Sequence, residues 1–198
     1  ILGRKRNREK VSHVKIVCIN IRYLRKRGVN FMQKKVFQLL VDNTSGVLSR
    51  ISGLFSRRGY NIESITAGVT ADPRFTRITI VASGDDEILE QIEKQVEKLV
   101  DVRDIHELKP DESVYRELVL IKVHASKEQR QDVIAVVDSF RAKIIDFAPE
   151  SLVIELTGNQ QKVEAFIRLM EEYGILELAR TGIAGLGRGT DHIIYLDE

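Results

Sequence analysis

The chain has 198 residues, 43% of them hydrophobic, with 31 Lys/Arg against 29 Asp/Glu, enough for one large domain or two small ones. No run comes near the roughly 18 apolar residues needed to cross a bilayer, and the first residues lack the order of a secretory signal, so the expectation is a cytoplasmic protein without membrane contact. The single cysteine, Cys18, excludes an internal disulfide framework and a Cys-based zinc or iron–sulfur site, and with them most redox chemistry.

Charge is unevenly placed: residues 1–31 hold ten Lys/Arg and one acid, Glu9, whereas the remainder holds 21 Lys/Arg and 28 Asp/Glu, leaving +9 on the first segment and −7 on the rest. A basic arm ordinarily points to nucleic acid, an anionic surface or a transit peptide. Met32, however, opens the first folded strand, and the preceding KRGVNF can be encoded by a purine-rich stretch of the AGAGGTG type, like a bacterial ribosome-binding site. The expectation is that the natural chain starts at Met32 and that residues 1–31 are a basic leader foreign to it; the alternative is a genuine arm in which Val14–Ile21 adds a strand.

From Met32 the pattern predicts a strand over 35–42, then a helix over 46–58 with Val47, Ile51, Leu54 and Phe55 on one face. Gly59 ends that helix. Strands follow near 61–70 and 75–82, joined by the turn Ala71–Arg74. SGDD, Ser83–Asp86, starts a second helix with Ile88, Ile92, Val96 and Leu99 on one face, and VRDIHEL, Val102–Leu108, is the fourth strand. After the polar break KPDES the same order recurs. RELVLIKV, Arg116–Val123, is a strand; Val133, Val136, Val137 and Phe140 mark a helix; KIIDF and SLVIEL form a hairpin; Val163, Phe166, Ile167 and Met170 mark another helix; and ILELAR, Ile175–Arg180, closes the unit. The fold class is therefore α+β, two tandem ferredoxin-like βαββαβ sandwiches.

Residues that could carry chemistry are sparse. His13, His106, His124 and His192 share no metal-ligand spacing, and neither a nucleophile elbow nor a base-paired nucleophile is present, so neither a catalytic residue nor a metal site is expected. The glycine-rich TGIAGLGRG, Thr181–Gly189, follows a strand but lacks the helix a dinucleotide loop needs; it reads as a flexible tail or as a segment that orders against a partner. An RNA-binding domain has the same element order, yet its third strand should present a row of aromatics. Here that strand is FTRITIV, with one aromatic, and the acidic balance after residue 31 opposes binding to nucleic acid.

The turn DNTSGVLSRI, Asp42–Ile51, is the most suggestive feature. Asn43 both donates and accepts, Ser45 suits a helix N-cap, and Gly46 leaves space in front of the first helical amides, where partial positive charge favours a carboxylate. The same residues also suit an ordinary helix start without ligand.

The longer run DNTSGVLSRISGLFSRRGYNIESI, Asp42–Ile65, resembles the start of the regulatory, or small, subunit of acetolactate synthase (acetohydroxyacid synthase), most specifically in GLFSRRGYNIESI. The likeness continues through EQIEKQVEKLVDV, RELVLIKV, FRAKIIDFAPESLVIELTG and ARTGIAGLGRG, and spans residues 33–189. It implies a basic leader at 1–31, an ACT domain at 32–109 for amino-acid sensing and dimerisation, a linker at 110–115, a C-terminal ferredoxin-like small-subunit domain at 116–189 and a tail at 190–198. It further implies a homodimer joined through the second strands. The effector, valine or another branched-chain amino acid, would lie between the first loop of one protomer (Asn43, Gly46, Val47, Leu48, with Ser49 nearby) and the second strand of its neighbour (Asn61, Ile62). The function implied is non-catalytic: activation of the large catalytic subunit and feedback inhibition in branched-chain amino-acid biosynthesis. No cofactor is expected in this subunit, while the catalytic partner is expected to use thiamine diphosphate, magnesium and FAD. A free-standing amino-acid sensor with another partner is the alternative.

Overall fold

The computed structural model describes residues 32–190; the added strand considered for Val14–Ile21, and His13, Cys18 and His192, lie outside the described residues. The first half runs β1 (Gln33–Asp42), α1 (Val47–Arg58), β2 (Asn61–Val69), β3 (Phe75–Gly84), α2 (Asp86–Val96) and β4 (Val102–Leu108). The second runs β5 (Ser113–His124), α3 (Arg130–Ser139), β6 (Lys143–Phe147), β7 (Ser151–Gly158), α4 (Gln160–Glu171) and β8 (Ile175–Arg180), and a short β9 (Ala184–Gly187) follows. Both halves are βαββαβ, with antiparallel sheets ordered β2-β3-β1-β4 and β6-β7-β5-β8. Two tandem ferredoxin-like sandwiches are what the periodicity predicts.

Alternation along the strands decides which face each helix layer covers. In the first half Phe37, Leu39 and Val41 of β1 and Ile78, Ile80 and Ala82 of β3 meet Val47, Ile51, Leu54 and Phe55 of α1 and Leu89, Ile92 and Val96 of α2. Ile88, expected on the inner face of α2, is 36% exposed, and Leu89 is buried in its place. The cause is phase: Asp85 caps the helix by accepting from the Ile88 amide at 2.8 Å, which sets Leu89, Ile92 and Val96 inward at i, i+3, i+7. In the second half Val119, Ile121, Val123, Leu152, Ile154 and Leu156 face Val133, Val137, Val163, Phe166 and Met170.

The segment after β8 departs from both expectations for it. It is not a loose tail, and it orders against its own chain: β9 pairs antiparallel with the start of β5, Ser113↔Gly187 through Arg116↔Ala184. Residues 113–115, expected within the linker, are thus part of β5. Together β9 and the start of β5 cover the helix-free face of the first sheet. That face carries Gln38 and Leu40 of β1 and Thr79 and Val81 of β3, all buried, so the open platform on which an RNA-binding sheet stacks bases is occupied by the chain itself. Gly185 is pressed into the seam, where a Cβ would stand 2.7 Å from Leu108 Cδ1 and 3.1 Å from Tyr115 Cδ1.

Gly185→Val is therefore expected to destabilise the protein by about 1–3 kcal/mol through overpacking, read as a lower urea midpoint; an unchanged midpoint would show that the seam is slack.

Candidate functional site

The turn after β1 is built by tethers to the β2–β3 turn. The Asn43 amide donates to the Arg74 carbonyl at 2.7 Å, Asn43 Nδ2 donates to the Pro73 carbonyl at 2.9 Å, and Asn43 Oδ1 accepts from Thr76 Oγ1 at 3.1 Å. The Oδ1 keeps a second lone pair for a further donor. Ser45, expected to cap α1, does not: Gly46 is the N-cap, in the left-handed region at φ +86°, and no side chain caps the helix. In α2 and α4, by contrast, Asp85 and Asn159 each accept from a first-turn amide. The first amides of α1, from Val47 onward, accordingly lack both an intrahelical carbonyl and a capping side chain.

Arg50 completes this end and was not singled out in the sequence. Its Nε and Nη2 donate to the two carboxylate oxygens of Asp101 at 2.5 and 2.8 Å, and its Nη1 would lie 3.0 Å from a Cβ placed on Gly46. The Asp101 hydrogen bond holds the Arg50 guanidinium above its usual pKa. The legible signal was an arginine in the first turn of a helix, where the macrodipole disfavours a cation unless an anion is present. Asp42, beside this turn, is bound in the same bidentate way by Arg103 at 2.7 Å.

The expected site residues divide into two groups. Asn43, Gly46, Val47, Leu48 and Ser49 gather at the end of β1. Val47 is 4% exposed and its side chain belongs to the core, so it offers an amide and no apolar wall, whereas Leu48 is 49% exposed and free to face a ligand. Asn61 and Ile62 begin β2 at the far end of the sheet: Asn61 lies opposite Ser83 of β3, while the turn after β1 lies beside Phe75. Eight residues of β3 separate the two ends, about 26 Å at about 3.3 Å per residue. Asn61 Nδ2 donates to Ser83 Oγ at 3.1 Å, and Ile62 rests partly buried on the core. One protomer does not bring the two groups together.

Two cavities lie elsewhere. One, of 380 Å³, sits at the seam between the halves and is lined by Lys34, Glu63, Val81, Glu117, Arg180 and Gly182 among others. Its wall is charged but internally paired: Arg180 binds Glu117 through two 2.7 Å hydrogen bonds, with Glu117 3% exposed, and Lys34 meets Glu63 at 2.6 Å. The other, a 450 Å³ groove, runs beside β2 past Ala67, Val69, Thr79 and Leu186. None of the seven expected residues lines either cavity. His106 lies within 3.0 Å of Asp104 through Nδ1, and no group of three or more His, Cys, Asp or Glu is placed to hold a metal among the described residues.

Comparison with known proteins identifies both halves. Residues 37–104 match the AHAS small subunit-like ACT domain, and residues 116–189 match the family described as the small subunit of acetolactate synthase. The first half is thus an ACT domain, and the second is a small-subunit domain. A probable acetolactate synthase small subunit of Methanothermobacter thermautotrophicus is 46% identical over 156 residues, 78% of this chain and 93% of that one. The acetolactate synthase isozyme 3 small subunit of Salmonella typhimurium is 45% identical over 157 residues, covering 79% and 96%. The crystal structure of the small subunit from Thermotoga maritima superposes with a TM-score of 0.73 at 43% identity, covering 79% of this chain and 98% of that one. This chain belongs to the acetolactate synthase small-subunit family.

Gly46 and Gly53 provide a paired test of the helix start. Gly46→Ala, at φ +86°, is expected to cost about 1–2 kcal/mol. Gly53→Ala, inside α1 with only an ordinary 3.6 Å contact to Arg57, should gain about 0.5–1 kcal/mol. Equal effects in urea titrations would contradict the assigned backbone.

Proposed function

We propose that this chain is the regulatory partner of the thiamine-diphosphate-dependent catalytic subunit of acetolactate synthase, raising its activity and conferring feedback inhibition by valine or a related branched-chain amino acid. The observation that carries the site is the uncapped start of α1 beside Arg50. A carboxylate placed there would receive helix amides and lie beside the Arg50 guanidinium that Asp101 holds. The ammonium group needs acceptors, and Asn43 Oδ1 supplies one.

The wide separation of Asn43 from Asn61 favours a site shared by two copies. Among the described residues β2 is an edge strand, paired only with β3, and its one charged residue, Glu63, is bound to Lys34, so no unpaired charge of β2 itself opposes strand addition. If two copies pair antiparallel along β2, the start of one β2 meets the end of the other, which is the end where the partner's own β1 turn lies. The exposed Ile65, Val69 and Leu186, 39%, 61% and 56% accessible, line the same border and would be covered. The alkyl group of the effector then lies near Leu48 of one copy and Ile62 of the other. Selection among valine, leucine and isoleucine rests on a methylene or two, worth about 1–3 kcal/mol. The catalytic subunit responds because the amino acid binds one dimer geometry better than another.

The test is acetolactate formation from pyruvate by the cognate catalytic subunit, with and without this chain, across a valine titration. Activation together with valine inhibition that requires the chain is the expected result; no effect at any valine concentration would favour a free-standing sensor instead. Gly46→Asp puts a carboxylate where the ligand's belongs, and should remove inhibition while leaving activation. Normal valine inhibition in that variant would overturn the site.

A further inference from the structure

We propose that the segment Thr181–Gly187 is the element that carries effector occupancy from β2 to the C-terminal sheet, an inference that rests on the regulatory reading above. Thr181 joins the two sheets within one residue. On one side its carbonyl accepts from Thr66 Oγ1 of β2 at 3.1 Å. On the other, its amide donates to the Leu118 carbonyl of β5 at 3.1 Å, and its Oγ1 accepts from the Leu118 amide at 3.1 Å. The preceding residue, Arg180, holds the buried carboxylate of Glu117, also in β5. A displacement of Thr181 is thereby passed directly to two consecutive residues of the central strand of the second sheet.

Close contact makes β2 and this segment move together. Gly182, at φ +81°, lies so near β2 that a Cβ would stand 3.0 Å from Thr66 Oγ1 and 3.1 Å from Ser64 Cβ. β2 is suited to shift: among the described residues it is paired on one side only, and its register with β3 breaks between Ile62 and Ser64, leaving Glu63 as an extra residue. That irregularity sits between the expected effector residues, Asn61 and Ile62, and the two residues that touch Gly182. Farther along, the segment is pinned. Gly185 is wedged against Leu108 and Tyr115, and its carbonyl accepts from Gln38 Nε2 of β1 at 2.6 Å. β1 is the interior strand between β3 and β4. One end of the segment therefore follows the edge strand, the other is held by the sheet interior, and the difference appears as a tilt at Thr181.

The test uses the full chain with its catalytic subunit. Thr66→Val replaces the hydroxyl with a methyl group of similar size, and Gly182→Ala adds one methyl group. Valine binding to the chain alone is measured by calorimetry, activation is measured without valine, and inhibition is measured at saturating valine. Both variants are expected to bind valine and to activate like the wild type, with inhibition at least about fivefold weaker. Amide exchange of residues 181–187 in the wild-type chain should change on adding valine. Should Gly182→Ala fail to fold, Thr66→Val with the exchange measurement decides. Wild-type inhibition in Thr66→Val together with valine-independent exchange of 181–187 would overturn the inference. A wild-type chain that neither binds valine nor alters the catalytic subunit would instead overturn the regulatory reading beneath it, so the two failures are distinct.

Discussion

Gln38 places a carboxamide in the middle of the helix-free face of the first sheet, 2% exposed, and a buried amide without partners costs more than the net gain from most hydrogen bonds. Its Nε2 donates to the Gly185 carbonyl and its Oε1 accepts from Arg77 Nη1 at 2.8 Å. The first of these bonds reaches 147 residues along the sequence. It fixes where the chain returns after β8, and with it the position of β9 and the start of β5. Leu40, Val81 and Leu108 around Gln38 are apolar and buried, so the returning segment is held by area and placed by the carboxamide. A leucine at this position would keep the area and lose the placement.

Because that face is filled from within, the surfaces on which the proposed function rests lie at the rims of the first domain. One rim is the uncapped start of α1, where Gly46 and Arg50 leave space and charge for an anion; the other is the open backbone of β2. They are separated along the sheet, and a two-fold arrangement of edge strands is the simplest geometry that unites them. Each ion pair near the rims, such as Lys34 with Glu63 or Arg103 with Asp42, is substantially exposed on its basic side and adds little stability by itself. Their role is placement: Asp101 orients Arg50 toward Gly46, and Arg103 holds the end of β1 from which the turn departs.

The sandwich was legible because both halves show their layers in the sequence: short, nearly continuous apolar runs in VFQLLV and LVLIKV, and helical spacing in Val47 to Phe55 and Val163 to Met170. What periodicity could not show was the return of residues 184–187 onto β5. AGLG has no alternation to read and small side chains that suit a flexible tail equally well; only the partners, Gln38, Leu108 and Tyr115, reveal why glycines are needed there. The phase of α2 was missed by one residue because Ile88 and Leu89 are equally apolar, and the Asp85 cap decided between them. Of the candidate site, the turn and its glycine were readable from DNTSG, but the assignment of the N-cap to Ser45 gave way to Gly46, whose positive φ no composition rule distinguishes from an ordinary first-turn glycine. Val47 shows the limit of naming residues without faces: its amide lies at the candidate site and its side chain lies in the core.

Regulation by such a molecule requires two arrangements of nearly equal free energy, because an effector shifts an equilibrium only by its differential affinity for the two states. Cores as closely filled as these are poor places for a second arrangement, since displacing Phe37 or Ile121 by a fraction of a side chain opens voids. Edge strands and seams are better suited. Among the described residues β2 has a single ladder and a local irregularity, and the seam beneath it is polar at the more exposed Thr66 and Thr181, where hydrogen bonds can be exchanged for equivalent ones at small net cost. The stability of the two domains and the adjustability proposed for their junction thus rest on different residues.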